Sequence, residues 1–391
     1  MKRVYLDYAA TTPVDERVIK EMERFFNIDF GNPSSLHLWG QKALIAIDEA
    51  RLIFKKYLNT DSLEEIIFTS SATESNNFVI KGITFYYLFK KKIKPHIIST
   101  KIEHESIERT LEELKNLDLI ELDLVEPDKS GYIEPEKILN LIKENTVLVS
   151  VIYVQNVIGT VQPIKKIGEL LKEINKKREN LPKILFHTDA AQAGLTEDLD
   201  VKNLGVDFLT LSSHKIYGPK GAALIYKRKD IEILPLISGP GQEFGLRSST
   251  ENVPAIYGFS KAFEIFYTKR EENKKYFFEL RDYFLNGIKS FYQKFEINGS
   301  LENSCGKILN LYFKDYFAQE ILIRLDLEGV GVSISSACSV RAAQPDKIIL
   351  ALGYSKERAE KSIRFSFGLK TKKEDLDYVL DALKRILYYR R

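Results

Sequence analysis

From Ile66 to Tyr226, apolar runs of roughly four to eight residues alternate with longer amphipathic stretches, a pattern that commits a chain to strand and helix units around a mostly parallel sheet. The predicted strands are Ile66 to Thr69, His96 to Thr100, Val147 to Val154, Ile184 to Asp189, Phe208 to Ser212 and Ala222 to Tyr226. The texture changes after Glu251-Asn252-Val253-Pro254. A long charged amphipathic helix, about Pro254 to Phe291, then leads to strands at Ile308 to Phe313, Val332 to Ser335 and Ile363 to Phe367, with helices between them and one at the end. A chain of 391 residues exceeds one ordinary core, so the prediction is a large α/β domain beside a smaller α+β domain. Internal repeats and low-complexity segments are absent from the sequence.

Composition narrows the function classes. Hydrophobic residues at 44% and aromatics at 11% suffice for a packed globular enzyme. Charged residues reach 29% but nearly cancel to +3, so no global field points to nucleic acid or membrane as a direct partner. The basic runs Lys90-Lys91-Lys92-Ile93-Lys94 and Lys176-Lys177-Arg178 are short and read as solvated surface. No apolar run approaches a membrane span, and Met1-Lys2-Arg3 leads straight into Val4-Tyr5-Leu6-Asp7 without a signal-peptide core, so a soluble, cytoplasmic protein is expected. Two cysteines, Cys305 and Cys338, make no disulfide framework, and neither has the close cysteine neighbour of a zinc site, so no metal is expected.

Two residues at strand ends suggest chemistry. Lys215, in Ser212-Ser213-His214-Lys215-Ile216-Tyr217-Gly218-Pro219, lies where a strand gives way to a tight turn; burial there lowers an amine's pKa and makes it a Schiff-base nucleophile. Asp189 closes Ile184-Leu185-Phe186-His187-Thr188-Asp189, and a carboxylate at that point can pair with a pyridinium nitrogen. Together they suggest pyridoxal 5'-phosphate (PLP), although either residue alone reads as simply solvated. Phe68-Thr69-Ser70-Ser71-Ala72-Thr73-Glu74 places small hydroxyl residues between a strand and a helix, which suits a phosphate as well as it suits a helix cap. His104 follows another strand end, where an imidazole could stack on a ring and move protons, or merely cap a helix.

With Tyr5-Leu6-Asp7-Tyr8-Ala9-Ala10-Thr11-Thr12-Pro13, Phe30-Gly31-Asn32-Pro33-Ser34-Ser35 and Ser362-Ile363-Arg364-Phe365-Ser366-Phe367-Gly368, these segments closely resemble the cysteine desulfurases, the nitrogen-fixation and iron-sulfur-cluster group within the class V aminotransferase family. The resemblance runs along nearly the whole chain. It implies a fold-type I PLP-dependent transferase: a large domain at 14–255 with a mostly parallel seven-stranded sheet, and a small domain formed by 1–13 and 256–391. It makes Lys215 the residue that bonds the cofactor and Asp189 the pyridinium partner. It sets His104 against the ring, with Asn156 and Gln192 on the phenolate side. It assigns the phosphate to Ala72, Thr73, Ser212 and His214, with Thr250 reaching in from a second subunit, hence a homodimer. Arg364 and Asn156 fall to the substrate carboxylate side, a bidentate task for which a guanidinium is suited.

Cys338 sets the implied reaction. It stands in Ser335-Ser336-Ala337-Cys338-Ser339-Val340-Arg341, a stretch too small and polar to bury well, from which a thiol could reach a substrate sulfur. Cys305 reads as structural. The resemblance implies conversion of L-cysteine to L-alanine, with Lys215 moving the α-proton, His104 assisting, and sulfur passing to Cys338 as a persulfide. The acceptor beyond that would be an iron-sulfur scaffold or a tRNA-thiolation enzyme. Some positions depart from the family pattern: Ser71, Ser249 and Ser335 stand where glycine is usual, Gln155 replaces the first of two asparagines and Phe244 replaces an arginine. The sequence closes on Tyr388-Tyr389-Arg390-Arg391, where cluster-assembly members continue into a scaffold-binding tail, so the resemblance does not carry that tail-borne partnership over, and another acceptor could dock at the loop of Cys338. A selenocysteine lyase, another class V aminotransferase and a noncatalytic relative are the competing readings; none of them needs a loop cysteine together with Lys215.

Overall fold

The computed structural model describes residues 2–334 and 345–388. In chain order its strands are β1 (Val4–Tyr5), β2 (Ile66–Thr69), β3 (His96–Thr100), β4 (Glu121–Val125), β5 (Thr146–Ile152), β6 (Leu185–Asp189), β7 (Phe208–Ser212), β8 (Ala223–Lys227), β9 (Phe295–Asn298), β10 (Ile308–Phe313), β11 (Val330–Gly331) and β12 (Ser362–Ser366). Seven of them form one sheet in the order β2-β8-β7-β6-β5-β3-β4. All neighbours within it run parallel except β8, which is antiparallel to both β2 and β7. β5 reads Thr-Val-Leu-Val-Ser-Val-Ile and is buried at every position, as befits a strand covered on both faces.

Alternate side chains of this sheet feed two apolar layers. Ile67, Ile97, Val147 and Phe208 point to one layer, where they meet Phe78, Ile83, Ile107 and Leu111 from helices α3 (Ala72–Phe85) and α4 (Glu105–Asn116). Ile66, Phe68, Ile98, Val149 and Leu209 point to the other, which is filled by helices earlier and later in the chain. A three-stranded antiparallel sheet, β12-β10-β9, lies in the second half of the chain, where Phe284 meets Phe365 and Phe367 at 5.0 and 5.9 Å between ring centroids. Its apolar residues belong to the same continuous core as the second layer of the large sheet. The N-terminal strand β1 pairs in parallel with β11, which brings residues 6–12 across the junction of the two sheets.

Several expectations change. The helix expected over 254–291 is two, Val253–Tyr267 and Arg270–Phe291. The Thr268 hydroxyl donates to Glu264 O and the Asn273 amide to Phe266 O, so side chains take over the last carbonyls of the first helix and close it. Among the described residues 332–334 hold no strand: the strand there is the earlier pair Val330–Gly331, Ser333 bridges to Arg364, and Ser335 lies outside the described residues. The strand expected to reach Val154 ends at Ile152. β4 escapes an apolar-run reading because it is an edge strand reading Glu-Leu-Asp-Leu-Val, whose charges guard an open edge. Among the described residues no helix is long and apolar enough to cross a membrane, and no cluster of three His, Cys, Asp or Glu could hold a metal ion.

Candidate active site

The carboxyl ends of β2, β3, β5, β6 and β7 lead to one side of the large sheet, where a cavity of about 240 Å³ opens. Lys215 reaches it from the tight turn Ser213–Lys215 directly after β7. Gly218 lets the turn pack closely: a Cβ there would stand 2.2 Å from Ser213 Oγ and 3.1 Å from Ser213 O. Tyr217 takes a left-handed φ of 66°, held by its N–H donating to Thr12 Oγ1 at 2.8 Å and by its hydroxyl accepting from Leu369 N at 2.6 Å.

The Lys215 amine donates to the backbone carbonyls of Ala9 and Ala10 at 2.6 and 2.7 Å. Burial first, and then the charges of Arg364 and Lys307, bring its pKa down to about 7, against the pull of Asp7 and Asp189. A large part of the side-chain population is therefore unprotonated near neutral pH. Asp189, 4% exposed at the end of β6, accepts from Asn76 Nδ2 at 2.8 Å and from Ala191 N at 3.0 Å. Both donors are neutral, and none of the ion pairs among the described residues involves this carboxyl group.

His104 combines its two sequence readings. It caps α4, with Nδ1 accepting from Ser106 N at 3.1 Å and lying 2.8 Å from Ser106 Oγ, and it also lines the cavity. An accepting Nδ1 places the ring proton on Nε2. Burial lowers its pKa, Lys215 adds to the effect and Asp189 opposes it, which favours the neutral ring. On the same wall Ala72 and Thr73 open α3, and Ser212 and His214 flank the start of the lysine turn. His214 is brought to about 4, mainly by burial, with Lys215 and Lys220 assisting, so its ring is neutral at pH 7.

Arg364, 1% exposed on β12, comes from the other sheet. Its two terminal nitrogens donate to Asn156 O and Asp7 Oδ1, both at 2.8 Å, while its Nε has no partner among the described residues. Asn156 and Gln192 border the same cavity. Thr250 does not: it is exposed and lines a separate cavity of about 140 Å³ with Thr69, Glu243 and Arg247. Cys338 lies outside the described residues. Cys305 is fully buried, and burial pushes its thiol up, as a structural cysteine would be.

The departures at glycine positions fare differently. Ser71 has φ of −163°, ordinary extended backbone, and its hydroxyl caps α3 by accepting from Glu74 N. Ser249 has φ of 136°, where a side chain is strained. Gln155 holds the turn after β5, its Oε1 accepting from Val157 N at 2.5 Å and Ile158 N at 3.0 Å. Ser335 lies outside the described residues.

Other residues were assigned no role from the sequence. The Ala9 and Ala10 carbonyls, Asn76 and Asp7 reach the site from distant segments. Glu103, 2% exposed beside His104, accepts from Thr100 Oγ1 and Ile152 N, and burial raises it to about 8. Lys307, 1% exposed, donates to Gln192 Oε1.

These positions meet the needs of PLP by the chemistry of the donor set: an amine for an aldehyde, a carboxyl group without a cationic partner for a ring nitrogen, and a helix start with hydroxyl and imidazole groups for a phosphate.

Residues 4–379 match the family model described as Aminotransferase class-V. Over 388 residues the chain is 41% identical to a protein named cysteine desulfurase IscS from Dictyoglomus turgidum, covering 99% of this chain and 95% of that one. A solved structure described as a NifS-like protein superposes with a TM-score of 0.90 at 34% identity, covering 99% of both chains. Another, described as SspA in complex with cysteine, gives 0.81 at 34% identity, covering 93% of this chain and 98% of that one.

Proposed function

The chain belongs to the aminotransferase class-V family, and we propose that it is a PLP-dependent cysteine desulfurase that converts L-cysteine to L-alanine and receives the sulfur on Cys338. The observation that carries this reading is the meeting, in one cavity, of a lysine with its pKa near 7, a carboxyl group paired only to neutral donors and an arginine with donor capacity to spare.

When bound, PLP supplies an aldehyde carbon for amines and a ring that withdraws electrons from the substrate α-carbon. The chain's residues do the rest. Lys215 offers its unprotonated Nζ as the nucleophile and then as the base at the α-carbon. Asp189, kept in place by Asn76 and Ala191, would pair with the ring nitrogen. Ala72, Thr73, Ser212 and His214 would hold the phosphate, Gln192 and Asn156 would serve the ring oxygen, and His104 would serve the ring, with a proton to give on Nε2. Arg364 takes the substrate carboxylate, its plane fixed by Asp7 and the Asn156 carbonyl. The Cys338 thiolate forms an S–S bond to the substrate sulfur as that sulfur's bond to carbon breaks, the electron pair going to carbon. Protonation of that carbon, and return of a proton from Lys215 to the α-carbon, complete alanine and leave a persulfide on Cys338.

We further propose a homodimer in which Thr250 serves the partner's site, supported by its exposure and by its absence from the lining of the chain's own cavity. Sedimentation at the mass of a single chain would refute it. The persulfide then passes to a carrier in iron-sulfur cluster assembly or tRNA thiolation, work we place in the cytoplasm, in keeping with a chain of only two cysteines. A division at 14–255 against 1–13 with 256–391 belongs to the same proposal, although Val253–Tyr267 crosses its boundary and packs on Glu16–Asn27 and Leu38–Leu58.

The test is alanine and sulfide production from L-cysteine in the presence of a thiol reductant. The wild type is expected to make both in equal amounts and Lys215→Ala neither; a PLP-loaded wild type that makes no alanine would overturn the reading.

A further inference from the structure

Lys307 stands immediately before β10, is 1% exposed, and uses its ammonium in a way the mechanism above does not require. Its only side-chain hydrogen bond among the described residues is to Gln192 Oε1 at 2.9 Å, and it joins no ion pair there. Burying an ammonium on a single neutral acceptor is costly. Burial brings its pKa down to about 8, with Arg364 adding to the shift and Cys305 opposing it, so the charged form still predominates at neutral pH.

The contact has a directional consequence. An ammonium only donates, so Gln192 must turn its oxygen to Lys307 and its NH2 the other way. That NH2 donates to Ala9 O at 2.8 Å, the same oxygen that accepts from Lys215 Nζ at 2.6 Å, and Gln192 borders the cavity. Lys307 is itself anchored from the opposite side: its carbonyl accepts from Phe367 N at 2.8 Å, just beyond the strand that carries Arg364. A residue of the second sheet therefore orients a side chain that follows β6 of the first.

We propose that Lys307 is a positioning residue for the cofactor site, acting through Gln192, whose amide it holds with the NH2 directed at Ala9 O and the cavity. The inference rests on the PLP reading. Without the ammonium, Gln192 Oε1 is a buried acceptor lacking a donor, and the amide gains freedom to turn its oxygen toward the ring oxygen it should be donating to.

The test is a double-mutant cycle on cofactor release. Wild type, Lys307→Met, Gln192→Ala and the double variant are loaded with PLP, and loss of the visible absorbance band is followed while an excess of an unrelated PLP-binding apoprotein captures what is released. Lys307→Met is expected to speed release roughly tenfold, and the double variant to release no faster than Gln192→Ala alone. Release of Lys307→Met at the wild-type rate would overturn the proposal. So would a double variant showing the product of the two single effects, which is what an independent packing loss gives. If Lys307→Met does not fold, Lys307→Gln, which removes the charge and keeps a polar group, takes its place in the cycle. A wild type that takes up no PLP defeats the cofactor reading itself and this proposal with it, and the missing band distinguishes that outcome from the start.

Discussion

A lysine in water is a cation at neutral pH and a poor nucleophile; Lys215 departs from this because burial and two neighbouring cations disfavour its charge. Since only the unprotonated amine attacks an aldehyde, PLP uptake by apoprotein should accelerate as pH rises through about 7 and level off above it, followed by stopped-flow absorbance. A rate that is flat from pH 6 to 8 would mean the amine is not the titrating group. Arg364 gives a second test. Lysine at that position keeps a charge but loses the planar fork, so Arg364→Lys should raise the KM for L-cysteine by about 10–100-fold, with a far smaller effect on PLP uptake. Ser249 supplies a third: at φ of 136° a glycine relaxes what serine strains, and Ser249→Gly should raise stability by about 1 kcal/mol in urea unfolding.

The helix start at His104 carries two duties that substitution can separate. As N-cap of α4 its Nδ1 accepts from Ser106 N, and as part of the cavity wall it presents the ring. Asparagine caps well but is no imidazole. His104→Asn is therefore expected to keep wild-type stability to within about 0.5 kcal/mol while losing turnover, whereas His104→Ala should lose turnover and about 1 kcal/mol of stability together. Equal stability in both variants would show that the cap contributes nothing. The large sheet itself was legible because β5, β6 and β7 are apolar runs bounded by turn residues, and the residues at their ends fall on the cavity side as parallel-sheet geometry requires. β4, β9 and β1 were not legible, being a charged edge strand and two short segments whose strand character depends on their partners.

Taken whole, the site is assembled from both sheets and from the first dozen residues, and this determines what could be read in advance. Lys215, Asp189, His104 and Arg364 carry chemistry in their residue types, and the resemblance to a known family indicated their roles. The Ala9 and Ala10 carbonyls carry no residue-type signal, and Lys307 looks like any other lysine until burial and the contact with Gln192 are seen. The N-terminal segment acts as a seam: Ala9 N donates to Ser366 Oγ on β12 while Ala9 O serves Lys215 and Gln192 near the ends of β7 and β6. The central claim is that sulfur leaves L-cysteine as a persulfide on one particular cysteine. Its most direct test is mass spectrometry of alkylated peptides after the PLP-loaded protein is incubated with L-cysteine in the absence of reductant. The added mass of one sulfur atom is expected on the peptide containing Cys338, none on that containing Cys305, and no added sulfur in Cys338→Ser. Alanine released with neither cysteine carrying extra sulfur would contradict that claim.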